Sequence, residues 1–111
     1  MLLKRGKIKR MRVLFVCAQG LSSAIAVNAL KKEAAKDGIN MEVLAVSTKE
    51  FEDEIIKGWN LAMVAPQVRN RFDQLNKKAQ ENGVPCVLIE SHAYSPLGGK
   101  KLLEQVKAVM G

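Results

Sequence analysis

Hydrophobic residues along this chain fall into four short, unbroken runs, each followed by a loop and an amphipathic stretch. Arg12-Val13-Leu14-Phe15-Val16 opens the pattern, β-branched and aromatic with almost no alternation. Such a run suits a strand buried on both faces, as in a parallel sheet. Ser22 to Asp37 reads as the first helix: Ala26, Leu30 and Ala34 recur at helical spacing, and Gly38 supplies a stop. Met41 to Val46 is the second strand. Ser47 stands three before Glu50, a capping box that opens a short helix over Thr48–Lys57, with Gly58 past its end. Leu61 to Ala65 is the third strand, ended by Pro66. Gln67 to Asn82 is helical by composition and closed by Gly83. Cys86 to Ile89 is the fourth strand, and a last helix runs from Gly99 to Met110.

Strands alternating with helices at this spacing predict βαβ crossovers, hence an α/β fold with a parallel sheet covered by helices on both faces. Ligands in such sheets bind beyond the carboxyl ends of the strands, near the point where strand order reverses. This directs attention to Cys17 to Ser23, to Pro66 and Gln67, and to the loop Ser91–Ser95.

The 111 residues allow one domain. A 48% hydrophobic, 26% charged composition excludes disordered and collagen-like chains. Two cysteines without a secretory leader point to free thiols in a reducing cytoplasm. The stretch Val13–Leu30 is too short and too polar to span a bilayer, so no integral membrane segment is expected. The formal charge of +7 suggests nucleic acid until it is mapped. Six of the 18 basic residues, Lys4, Arg5, Lys7, Lys9, Arg10 and Arg12, lie in the first twelve positions, which hold no acid, and from Val13 onward 12 basic residues face 11 acidic ones. The body is nearly neutral, which argues against nucleic-acid binding. Residues 1–10 read as a basic, flexible and dispensable extension, and 11–111 as the folded domain.

The sharpest chemical feature is Cys17-Ala18-Gln19-Gly20-Leu21-Ser22-Ser23, at the handover from first strand to first helix. Unpaired backbone N–H groups and the positive end of the helix dipole meet there. Gly20 allows those amides to fold into an anion-sized nest, and Ser22 and Ser23 add hydroxyl donors. The combination sets a nucleophilic sulfur, favoured as thiolate by the same dipole, beside a cradle for a dianion. The plain alternative is a small buried hydrophobe ending a strand. Cys86, near the start of the fourth strand, reads as structural and is expected toward the opposite edge of the sheet from Cys17, which argues against a disulfide between them. Phosphatases of the Cys-x5-Arg type share the sulfur and nest but clamp phosphate with Arg. Here that position is Ser23. A phosphocysteine formed at this site is expected to hydrolyse slowly, which suits a carrier.

On these residues the chain resembles the enzyme IIB components of the lactose/cellobiose class of the phosphoenolpyruvate-dependent sugar phosphotransferase system. The resemblance covers about Arg12 to Met110. It rests on Val16-Cys17 and its small-residue loop, on Ala65-Pro66-Gln67 after the third strand where the family typically has Gly-Pro-Gln, and on the βα order. The loop differs from the common family pattern at Ala18 and Gln19 but keeps the nest.

The resemblance implies a single three-layer domain with a four-stranded parallel sheet of order 2-1-3-4, similar to low-molecular-weight tyrosine phosphatases. It also implies a cytoplasmic phosphotransferase associated peripherally with the membrane, without cofactor. Cys17 takes a phosphoryl group from a phosphohistidine of enzyme IIA, held by the loop Ala18, Gln19, Gly20, Leu21, Ser22 and Ser23. It passes the group to a sugar, a β-linked disaccharide such as cellobiose, chitobiose or lactose, on the membrane component IIC. A low-molecular-weight tyrosine phosphatase-like hydrolase is the alternative.

Pro66, Gln67, His92 and Tyr94 are supporting candidates at the same edge. Gln67 either hydrogen-bonds near the site or simply begins a helix. His92 and Tyr94 either meet phosphate or a partner, or belong to a solvated loop. Arg69 and Arg71 are candidates for a partner contact or a solvated helix face. A lone His without Cys or Asp at ligand spacing gives no metal site.

Overall fold

The first hydrophobic run becomes the central strand of the sheet because neighbours pair with it on both sides. In the computed structural model, which describes residues 9–17, 23–90 and 98–110, the elements follow in strict alternation. They are β1 (Lys9–Cys17), α1 (Ser23–Lys36), β2 (Ile39–Ser47), α2 (Phe51–Ile55), β3 (Leu61–Val64), a 3-10 segment (Pro66–Arg71), α3 (Phe72–Glu81), β4 (Cys86–Leu88) and α4 (Gly99–Met110). All pairings are parallel, in the order β2-β1-β3-β4. The expected order 2-1-3-4 is thus realised.

The layers follow from the handedness of the crossovers. The chain steps from β1 to β2 in one direction, then returns past β1 to β3 and on to β4. Right-handed crossovers that reverse direction must use opposite faces of the sheet. Accordingly Val13, Phe15, Leu61 and Met63 pack with Ala26, Leu30 and Ala34 of α1 and with Leu102 and Val106 of α4. On the other face Leu14, Val16, Ala62 and Val64 pack with Phe51 and Ile55 of α2, Trp59, and Leu75 and Ala79 of α3. Residues 13 to 16 are wholly buried, which explains why their run lacks alternation.

Gly38, Gly58 and Gly83, read as stops, all adopt left-handed φ, of 73°, 87° and 72°. Gly99 serves a different purpose. A Cβ there would lie 2.6 Å from the Ala29 carbonyl oxygen and 2.9 Å from Glu33 Cγ, so α4 begins in backbone contact with α1. The far ends of the same helices are joined by an ion pair between Lys107 and Asp37. Gly99→Ala is expected to force the helices apart at a cost of about 1–3 kcal/mol, measured as a lower urea midpoint with unchanged secondary structure.

Three sequence expectations need correction. β1 begins at Lys9 instead of Arg12, since Lys9 and Arg10 pair with Ile39 and Asn40. Arg12, counted among the N-terminal basic residues, is held within the fold by several contacts. Its guanidinium lies 4.4 Å from the Trp59 ring centroid, donates to the carbonyls of Lys57 and Gly58 at 2.9 and 3.2 Å, and meets Glu42 at 3.3 Å. Its backbone N–H donates to Asn60 Oδ1 at 2.8 Å. α2 is shorter than Thr48–Lys57, because Thr48 to Glu50 form a turn ahead of it. The helix read over Gln67–Asn82 is divided: Pro66 starts a 3-10 segment, Val68 leaves helical geometry (φ −118°, ψ 25°), and the α-helix begins only at Phe72.

The capping box predicted at Ser47 and Glu50 forms in both directions. The Ser47 N–H donates to Glu50 Oε1 at 3.0 Å, and the Glu50 N–H donates to Ser47 Oγ at 3.3 Å. The Ser47 backbone bond, and then its hydroxyl, hold the Glu50 carboxyl below its ordinary value of 4.5. A folded-state value below the unfolded one makes the contribution complete above that ordinary value and lost as pH falls through the lower one. An NMR titration of the Glu50 side chain is expected to show a midpoint below 4.5, moving back toward it in Ser47→Ala.

Candidate active site

β1 is flanked on one side by β2 and on the other by β3, so its carboxyl end is the point where strand order reverses. Cys17 is the last residue of that strand. Its register partner is Ser47, the last residue of β2. Cys17 is 2% exposed and packs with Val46, Phe51, Ala65 and Val68. The Sγ–H donates to the Val46 carbonyl oxygen at 3.6 Å.

α1 begins at Ser23, six positions after Cys17, and its N-terminus belongs to the carboxyl edge of the sheet. Ala18, Gln19, Gly20, Leu21 and Ser22 lie outside the described residues, as do His92 and Tyr94. Pro66 is near Cys17 through the backbone: the Ala65 N–H donates to the Val16 carbonyl at 2.8 Å, and Pro66 follows directly. Ala65 is extended (φ −65°, ψ 148°), the conformation a following proline favours. Pro66 is half-buried, and Gln67, Arg69 and Arg71 are exposed on the 3-10 segment.

Cys86 is remote from this edge. It aligns with Ala62 and hence with Leu14, three residues short of Cys17 and two strands away. Those offsets amount to roughly 10 Å along the strands and roughly 10 Å across them, too far for a disulfide. Both thiols are free. Burial pushes the Cys86 thiol up to about 12, so it stays protonated and inert at neutral pH.

One cavity among the described residues, about 360 Å³, opens at the opposite, amino edge among Met11, Arg12, Asn40, Glu42, Gly58 and Asn60. It is remote from Cys17. A second groove, about 220 Å³, runs between α2 and α3 and is lined by Thr48, Lys49, Phe51, Glu52, Arg71, Gln74, Leu75 and Lys78. Sequence reasoning missed this groove as a unit, because its lining comes from two stretches about twenty residues apart.

Fold and site together define a doubly wound α/β domain with a buried cysteine closing its central strand at the switch point. The chain belongs to the family described as "PTS system, Lactose/Cellobiose specific IIB subunit", whose model matches residues 12–105. It is a phosphotransferase subunit of that class, which sets aside the tyrosine-phosphatase alternative. It is 29% identical over 103 residues to the galactose-specific EIIB component of Lactococcus lactis subsp. cremoris, covering 88% of this chain and 94% of that one. It is 30% identical over 89 residues to a lactose-specific EIICB component of Lactococcus lactis subsp. lactis, covering 80% of this chain but 16% of that protein. The fold matches the lactose-specific IIB domain of Streptococcus pneumoniae with a TM-score of 0.73 at 24% identity, over 86% of this chain and 97% of that one. Among the described residues no helix is long and apolar enough to cross a membrane.

Proposed function

We propose that Cys17 accepts a phosphoryl group from a phosphohistidine of enzyme IIA and passes it to a sugar hydroxyl presented by the membrane component IIC. The observation that carries this reading is the position of Cys17 at the carboxyl end of β1, where strand order reverses ahead of α1. In the first step the sulfur leaves the Val46 carbonyl and gives up its proton, the S–P bond forms and the N–P bond of the phosphohistidine breaks. The released imidazole nitrogen or water takes the proton. In the second step the sugar hydroxyl oxygen attacks phosphorus, the S–P bond breaks, and the proton that the hydroxyl gives up returns, directly or through water, to the thiolate. Both steps call for positioning and charge stabilisation above all. The backbone N–H groups of Ala18 to Ser23 are assigned that role on sequence grounds, with Pro66, Gln67, His92 and Tyr94 as supporting candidates.

Partnership with IIC is supported by the lactose-specific EIICB relative, whose name joins the IIC and IIB parts. Through IIC the chain would work peripherally at the inner face of the membrane, and a β-linked disaccharide is the substrate class. Residues ahead of Lys9 are assigned no part in transfer. The test is to incubate the chain with phosphoenolpyruvate, the general phosphotransferase proteins and IIA, and to record intact mass. Gain of one phosphoryl group supports the reading. An unchanged mass rejects it.

A further inference from the structure

The groove between α2 and α3 touches the Cys17 site at two places. Its floor residues Phe51 and Leu75 belong to the same buried cluster as Cys17. Its wall begins at Thr48, directly after Ser47, the register partner of Cys17. The groove therefore opens close to the edge where a phosphoryl group must arrive.

Its charge is one-sided. Lys49, Arg71 and Lys78 line it against a single carboxylate, Glu52. Lys78 meets Glu81 at only 3.8 Å, and neither Lys49 nor Arg71 is ion-paired with a described residue. The segments outside the described residues contain no Asp or Glu side chain to neutralise them. Glu50, the nearest carboxylate in sequence to Lys49, is turned back onto the Ser47 N–H. Three cations thus line a groove that also holds Thr48 and Gln74 and whose base, Phe51 and Leu75, is buried.

We propose that this groove receives an acidic segment of the phosphoryl-donor protein. This rests on the reading that the donor is a protein. A free phosphate would meet one or two cations, whereas three are spread along the groove from Lys49, ahead of α2, to Lys78 on α3. A membrane surface needs a protruding basic patch, whereas these charges rim a concavity that also holds Glu52. An extended acidic peptide matches a row of cations of this length. Rim charges of this kind steer association and set its salt dependence.

The test uses the full chain with unphosphorylated and phosphorylated IIA. In a 15N NMR titration with unphosphorylated IIA, amides of Lys49, Glu52, Arg71, Gln74 and Lys78 are expected to shift. The double variant Lys49→Glu/Arg71→Glu, folded by circular dichroism, is expected to raise the KM for phosphorylated IIA about tenfold with kcat nearly unchanged, and added salt should erase the difference. Shifts confined to other surfaces, or an unchanged KM, overturn the proposal. So does loss of binding to phosphatidylglycerol vesicles in the variant with an unchanged KM, which assigns the groove to the membrane. If the wild-type chain takes up no phosphoryl group, the acceptor reading fails. The NMR titration still decides the groove, with shifts there supporting it and shifts elsewhere rejecting it.

Discussion

Cys17→Ala is expected to abolish phosphoryl uptake from IIA and sugar phosphorylation while leaving the domain folded. The reading of Cys17 as acceptor leaves no second nucleophile to take over, because Cys86 lies at the far side of the sheet with its thiol pushed up to about 12. Removing Sγ deletes one buried atom and a weak 3.6 Å hydrogen bond. A cost of about 1 kcal/mol is the appropriate scale, equivalent to a fall in Tm of several degrees. The measurement pairs a transfer assay with a melting curve. Transfer at background with a cooperative melt is the expected result. Retained transfer in a folded variant would remove Cys17 from the mechanism.

Phe15→Ala is expected to act in the opposite manner, by loss of the fold. Phe15 is wholly buried in the central strand and packs against α1 and α4. Truncating it removes a large apolar side chain and leaves a cavity that the flanking strands prevent from collapsing. The cost is about 3–5 kcal/mol, against a total of about 5–15 kcal/mol for a domain of ordinary stability. With an m-value of about 2 kcal/mol/M, the urea midpoint should fall by about 2 M. Transfer should then decline in step with the folded fraction. A loss below about 1 kcal/mol would mean that this face of the sheet is not packed as described.

Much of this arrangement is legible in the chain because parallel sheets impose simple patterns. The unbroken apolar runs reflect strands buried on both faces, and each glycine past a helix occupies left-handed backbone. Cys17 could be located because the carboxyl end of the first strand is a switch point in any sheet of this order. What escaped were contacts decided in three dimensions. Arg12 was counted with a basic segment, yet its side chain stacks on Trp59, a residue 47 positions later. Lys9 and Arg10 lack strand-like side chains, but pairing with β2 uses only backbone groups. The break at Val68 follows from Pro66 starting a tight turn beside Cys17, which composition reads as helix. The α2–α3 groove joins residues 48–52 with 71–78, and only Arg71 had been singled out as a partner contact.

The most direct measurement is site mapping of the phosphorylated chain by tandem mass spectrometry under conditions that preserve labile phosphoryl groups. One phosphoryl group is expected, carried on the peptide containing Cys17 and located on its sulfur. A phosphoryl group on His92, the chain's single histidine, or on a serine of the Ser22–Ser23 pair with Cys17 free, would contradict it.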